Sequence, residues 1–186
     1  MKVDNTHINQ QIVLSGAGGQ GLGTGGKILA EAAIFQGLNA AQSQTYGAQA
    51  RGGASYAEMI ISSGEILFPL VERVDLLLTL TRQAYHKYKS LLVPQGIVIY
   101  DLNYVQPEPD GKTYGFNMLK YMRERKNERS VTIFALGVMA AHWLPVKKEF
   151  IIAAIESNFA ENVAAINKQC FLAGFDIARE FFAGLI

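Results

Sequence analysis

The chain has 186 residues, 49% of them hydrophobic and 18% charged, enough apolar material for one domain with a substantial core and too little charge for a disordered chain. Seventeen Lys and Arg nearly balance sixteen Asp and Glu, so no basic field steers the protein to nucleic acid. A single cysteine, Cys170, excludes an internal disulfide and a Cys-ligated zinc or iron–sulfur centre within this chain.

Residues 1–10 read as a polar tail, without the apolar core of a signal peptide. Gln11–Ser15 is an apolar run that stops at glycine, the pattern of a buried strand. From Gly21 to Gln36, Leu22, Ile28, Leu29, Ala32, Ala33 and Phe35 make a wide apolar helical face, closed by Gly37. Asn39–Thr45 reads as a second strand and Tyr46–Gly53 as a loop. Ala54–Ile61 and Glu65–Phe68, on either side of Ser62-Ser63-Gly64, read as an antiparallel β-hairpin. Val74–Thr81 has the continuous apolar character of a central strand. Gln83–Leu92 reads as a helix, and Pro94-Gln95-Gly96 as a turn into the strand Ile97–Tyr100.

Residues 103–117 carry loop signals, and Phe116–Arg129 reads as a polar helix whose mixed charges suit a solvated face. Val131–Trp143 is apolar, a strand running into a helix at Gly137. Gly137, His142 and Pro145 keep it too interrupted to span a bilayer. Two amphipathic helices, Lys147–Asn158 and Ala160–Phe182, end the chain. Strands alternating with helices predict one α/β domain over residues 1–186. It is a Rossmann-like, mostly parallel sheet with helices on both faces, an antiparallel hairpin insert and C-terminal helices. A cytoplasmic location, with no membrane contact, is the expectation.

Gly16-Ala17-Gly18-Gly19-Gln20-Gly21 fits G-x-G-x-x-G between a strand and a helix. Such a turn brings backbone amides close to a ligand, and the helix N-terminus behind it favours an anion. A nicotinamide site also wants an acid at the end of the second strand, and Ala40–Thr45 holds none. The Walker pattern fails because Ile28 follows Lys27. Gly23, Gly25 and Gly26 continue the glycine run into the helix, where close packing against strands would offset their cost. The turn then reads chiefly as structural or as directed at a ligand other than a dinucleotide, with NAD(P) as the minor alternative.

Tyr46, Gly47, Arg51, Gly52 and Gly53 form the second candidate loop, beside the turn at the carboxyl ends of the strands. Arg51 would reach out as a planar anion clamp, or else cap carbonyls in a tight loop. His7, His86 and His142 are scattered without metal-ligand spacing. His142 with Trp143 reads as the end of a buried helix or an interface. Cys170, on a helical face with Phe171 and Phe175, reads as a small buried hydrophobe. Asp75 and Asp101 bracket central strands, with loop capping the default reading. Tyr85, Tyr88, Tyr114 and Tyr121 are candidate interface aromatics or ordinary packing.

The two loops together resemble the gamma subunit of 2-oxoacid:ferredoxin oxidoreductases. The resemblance extends through Ser55–Ile61, the Phe68-Pro69 step, Val74–Leu80, Val93–Val98 and the pattern Asn167–Gly174. It departs from the family at Gln49, where glutamate is usual, and near Phe134–Gly137, where asparagine often opens the helix. The resemblance implies one subunit of an assembly that oxidatively decarboxylates a 2-oxoacid, makes an acyl-CoA and reduces ferredoxin. Pyruvate, 2-oxoglutarate and branched-chain acids are all substrates in reach, with a lean to 2-oxoglutarate.

Thiamine diphosphate and magnesium would then belong to alpha and beta partners, and iron–sulfur clusters to beta or delta. This chain alone would bind no cofactor and complete no catalysis. It would pack on those subunits, close over coenzyme A and reach ferredoxin through the assembly, with a homodimer of the isolated chain as a further partner state. The residues it would use are Gly16, Gly18, Gly19, Gln20 and Gly21 with Tyr46, Gly47, Arg51, Gly52 and Gly53. Two other readings stay open: a free-standing Rossmann-like nucleotide-binding protein, and a structural scaffold subunit.

Overall fold

A computed structural model describes residues 7–44, 54–107 and 112–184. Its six strands are β1 (Asn9–Gly16), β2 (Asn39–Gln44), β3 (Ser55–Ser62), β4 (Val74–Thr79), β5 (Leu92–Asp101) and β6 (Lys112–Phe116). The helices are α1 (Leu22–Phe35), α2 (Arg82–Tyr88), α3 (Met118–Glu124), α4 (Val131–Ala140), α5 (Lys148–Asn158) and α6 (Glu161–Ala183). One sheet takes them in the order β2-β3-β1-β4-β5-β6. The pairs β1–β4, β4–β5 and β5–β6 are parallel, while β3 runs against both β1 and β2. Five strands therefore point one way, and β3 is the antiparallel insert. No helix among the described residues is long and apolar enough to cross a membrane.

Alternation along the central strands feeds two cores. Ile12 and Leu14 of β1 and Leu76 and Leu78 of β4 join the larger core with α1, α4, α5 and α6. Val13 and Leu77 turn to a smaller core with Tyr85, Tyr88, Val98 and Val105. Each buried Leu or Ile contributes about 1.5–3 kcal/mol, so the larger core dominates stability. It gathers most of the helices on one face; α2 covers the other.

Several expectations change. The hairpin does not form: β3 is present, but Glu65–Phe68 is irregular and projects Leu67 at 85% exposure. The inner partner that β3 needs is supplied by β1, whose continuous apolar run can be buried on both faces. Pro94-Gln95-Gly96 lies within β5, at a register shift against β4, rather than in a turn before it. The loop-rich stretch contains an edge strand, β6, hidden from the sequence by its small and polar residues. Val131–Ala140 is helical throughout; it looked strand-like because α4 is apolar all round, buried by neighbours on every side. The tyrosines are interior contacts: Tyr85 and Tyr88 are buried, Tyr114 stacks on Trp143 and Phe182, and Tyr121 packs on Phe134.

Candidate functional site

β1 stops at Gly16 and α1 starts at Leu22, so the glycine turn lies at the carboxyl end of the sheet, where ligands of open α/β folds gather. Gln20 folds back across it: its Oε1 accepts the Ala17 N–H at 2.7 Å and fills the space a side chain at Gly16 would need. Gly19 (φ 84°) and Gly21 (φ 76°) are left-handed, a conformation that costs other residues about 1–2 kcal/mol. Gly21 is the N-cap of α1 and has no side chain to cap it, and the first turn carries no acid. The first-turn amides thus keep their partial positive charge.

The turn forms the floor of a cleft of about 1310 Å³. Gln44, Ser55, Tyr56, Thr81 and Gln83 make one side; Asn127, Arg129, Ser130 and Asn167 make the other. Ile133, Phe159, Val163 and Ile166 add an apolar lip, with Val163 and Ile166 exposed at 40% and 52%. Tyr56 and Arg129 are the only titratable side chains among the described residues of the lining. No carboxylate or imidazole stands among the described lining residues.

The far side is tied together by polar contacts. Asn167 is 4% exposed and accepts a hydrogen bond from the Ser130 hydroxyl at 2.9 Å; that hydroxyl also lies 3.0 Å from Asn127 Oδ1. Asn127 Nδ2 donates to Cys170 Sγ at 3.4 Å. Burial pushes the Cys170 thiol up, outweighing the opposite pull of that bond and of Arg125. Cys170 is therefore a partly buried thiol that holds its proton more firmly than a free one. Its alkylation by a maleimide should lag behind that of a free thiol at pH 7 and catch up only on the alkaline side. A rate equal to that of a model thiol at pH 7 would contradict the burial.

Around β2 two glutamines pack on α1. Gln42 Nε2 donates to Gly23 O at 3.3 Å, and the Gln42 and Gln44 side chains occupy the notches that Gly26 and Gly23 leave in α1. The place where a ribose-binding acid would stand is filled by glutamines packed on the helix. Gly23 and Gly26 thus serve close packing of α1 on the sheet, as their run suggested, while Gly25 faces chiefly Thr132 of α4.

Of the predicted site residues, Gly16, Gly18, Gly19, Gln20 and Gly21 come together in the cleft floor. Tyr46, Gly47, Arg51, Gly52 and Gly53, with Gln49, lie outside the described residues. Missed altogether were Asn127 and Ser130 as lining of the cleft, and Arg129 and Thr132 as partners of the turn. Asn167 is the only polar residue among the buried positions of α6, beside Ala164, Phe171, Gly174 and Ala178; an amide on an apolar stripe was a readable signal.

The histidines do not meet: His86 accepts from Arg82 Nε at 3.4 Å, and His142 stacks on Phe182 at 4.4 Å. Burial and nearby Arg179 push His142 below the usual imidazole range. No three His, Cys, Asp or Glu residues gather as a metal site among the described residues. Asp101 caps the loop and helix that follow β5, whereas Asp75 bridges from β4 to the backbone of β1. Asp75 Oδ2 accepts the Gln11 N–H, while buried Asp101 accepts the N–H of Asn103 and of Leu119, the latter at 2.7 Å.

Comparison with known proteins places these features. The family model described as pyruvate ferredoxin/flavodoxin oxidoreductase matches residues 11–177. The chain is 35% identical over 179 residues to the 2-oxoglutarate synthase subunit KorC of Methanocaldococcus jannaschii, covering 93% of this chain and 96% of that one. KorC of Archaeoglobus fulgidus is 37% identical over 171 residues, covering 90% and 87%. The keto/oxoacid ferredoxin oxidoreductase gamma subunit from Geobacter sulfurreducens superposes with a TM-score of 0.80 at 38% identity, over 92% of this chain and 99% of that one. The same fold recurs, at TM-score 0.83 and 23% identity, within 31% of the longer chain of 2-oxoglutarate:ferredoxin oxidoreductase from Magnetococcus marinus, a structure with 2-oxoglutarate, coenzyme A and succinyl-CoA bound.

Proposed function

Since the chain belongs to the pyruvate ferredoxin/flavodoxin oxidoreductase family, we propose that it is the gamma-type subunit of a 2-oxoglutarate:ferredoxin oxidoreductase. It contributes part of the coenzyme A site and the contacts that hold the subunits together. The carrying observation is a cleft floored by the glycine turn, whose described lining holds no carboxylate or imidazole, in a chain that matches KorC over nearly its whole length. The oxidation of 2-oxoglutarate to succinyl-CoA, with thiamine diphosphate, magnesium and iron–sulfur clusters, belongs to the partner subunits in this reading. The chain's own residues bind and enclose.

Coenzyme A suits the cleft chemically. Its phosphates match the uncapped amides at the start of α1 and the Arg129 guanidinium. Its uncharged pantetheine arm matches the amides of Asn127 and Asn167 and the apolar lip of Val163 and Ile166. Exposed Leu67, Phe68 and Leu70, at the opposite end of the sheet, give the subunit apolar surface for contact with its neighbours.

Reconstitution tests this reading. Tagged chain expressed with its neighbouring genes should co-purify with thiamine-diphosphate-containing subunits, and ferredoxin reduction by 2-oxoglutarate should require all of them and coenzyme A. Recovery of the chain alone, with full activity in its absence, would end the proposal.

A further inference from the structure

We infer that Thr132, the second residue of α4, is the positioning residue of the glycine turn. Its Oγ1 donates to the Gln20 carbonyl at 2.7 Å, across 112 residues of sequence. Its methyl group fills the notch left by Gly25 in the first turns of α1. One residue thus holds the turn by the Gln20 carbonyl and the following helix by its flank. Gln20 in turn holds the Ala17 N–H through Oε1, so displacement of its backbone is transmitted to the front of the turn.

Thr132 is itself well anchored. It is 1% exposed, in a helix buried on all sides. The 3-10 turn before it, Glu128–Ser130, is tied to α6 by Ser130 and Asn167 and sets Arg129 O beside Gly21, 2.7 Å from where a Cβ would stand. The glycine turn has almost no side chains with which to fix its own shape. Its conformation is imposed from outside, by the start of α4. The consequence for coenzyme A rests on the reading given above; the effect on the turn does not.

Hydrogen exchange on the full chain separates the two. Thr132→Val keeps the methyl group in the Gly25 notch and removes the donor. The Ala17 amide, bonded to Gln20 Oε1, and the Gly25 amide, bonded to Gly21 O at 2.9 Å, should then exchange about fivefold faster, the worth of one ordinary hydrogen bond. Sheet amides such as those of Val13 and Leu77 should keep their rates, and Thr132→Ser, which keeps the hydroxyl and gives up the methyl group, should restore the wild-type rate at Ala17. Unchanged Ala17 and Gly25 rates overturn the inference. So does a uniform acceleration through the sheet, which is what a merely stabilising hydroxyl would give. In the reconstituted enzyme Thr132→Val should raise KM for coenzyme A with kcat held. If the two amides respond and KM does not move, the positioning role stands and the coenzyme A reading fails.

Discussion

Replacing Gly137 by alanine is expected to destabilise the protein by about 3 kcal/mol, the upper end of overpacking costs. The cause is the crossing of α4 and α6. A Cβ on Gly137 would collide with the backbone of α6, overlapping Phe171 O and lying 2.8 Å from Phe175 N. Gly174 mirrors it, meeting Phe134 O and standing 3.2 Å from Val138 N. The two glycines let the helices touch backbone to backbone, and neither obstacle is a flexible side-chain end that could swing away.

Alanine must therefore push the helices apart and open gaps around Phe134, Phe171 and Val138, all buried. Urea unfolding should show a lower midpoint with an unchanged slope. Gly174→Ala should cost about as much, and the double variant clearly less than the sum, because the first substitution has already separated the helices. Gly23→Ala is the contrast: its obstacle is the end of the Gln44 side chain, and the loss should stay below about 1 kcal/mol. Equal losses at Gly23 and Gly137 would refute the account.

The second large effect is on ligand affinity, read through three glycines of one turn. At Gly18 a side chain has room, with Ser55 Oγ 3.8 Å away as the nearest neighbour, and the backbone is not left-handed. Gly18→Ala should leave stability unchanged or raise it by about 0.4–1 kcal/mol. Gly18→Leu should project into the cleft and raise the KM for coenzyme A in the assembled enzyme by about tenfold, the equivalent of ~1.4 kcal/mol of lost binding. Gly19→Ala has space but a φ of 84°, so about 1–2 kcal/mol of stability should go. Gly21→Ala adds overlap with Arg129 O at 2.7 Å to the same strain and should lose most, about 3 kcal/mol. Stability losses should thus rise from Gly18 through Gly19 to Gly21. A stable Gly18→Leu protein with wild-type KM would take the cleft out of coenzyme A binding.

The order of the strands and helices was legible because burial imposes its periodicity locally. Ile12–Leu14 and Leu76–Leu78 are apolar without interruption since both sheet faces are covered, and α1, α5 and α6 carry one-sided stripes. β6 escaped because an edge strand need bury little, and Lys112–Phe116 offers glycine, threonine and lysine rather than an apolar run. α4 escaped for the opposite reason: a helix buried all round loses the stripe that marks it.

The site divides the same way. The amino-acid order alone determined the glycine turn, its place between a strand and a helix, and the lack of an acid at the end of the second strand. Those are local properties, set by residues a few positions apart. Only the tertiary structure decided what faces the turn. Thr132 reaches Gln20 across 112 residues, and Asn167 reaches Ser130 across 37. Polar contacts at such separations leave no periodic trace, because they depend on how α4 and α6 cross. That crossing is fixed by Gly137 and Gly174, whose role appears only when the two helices are laid against each other.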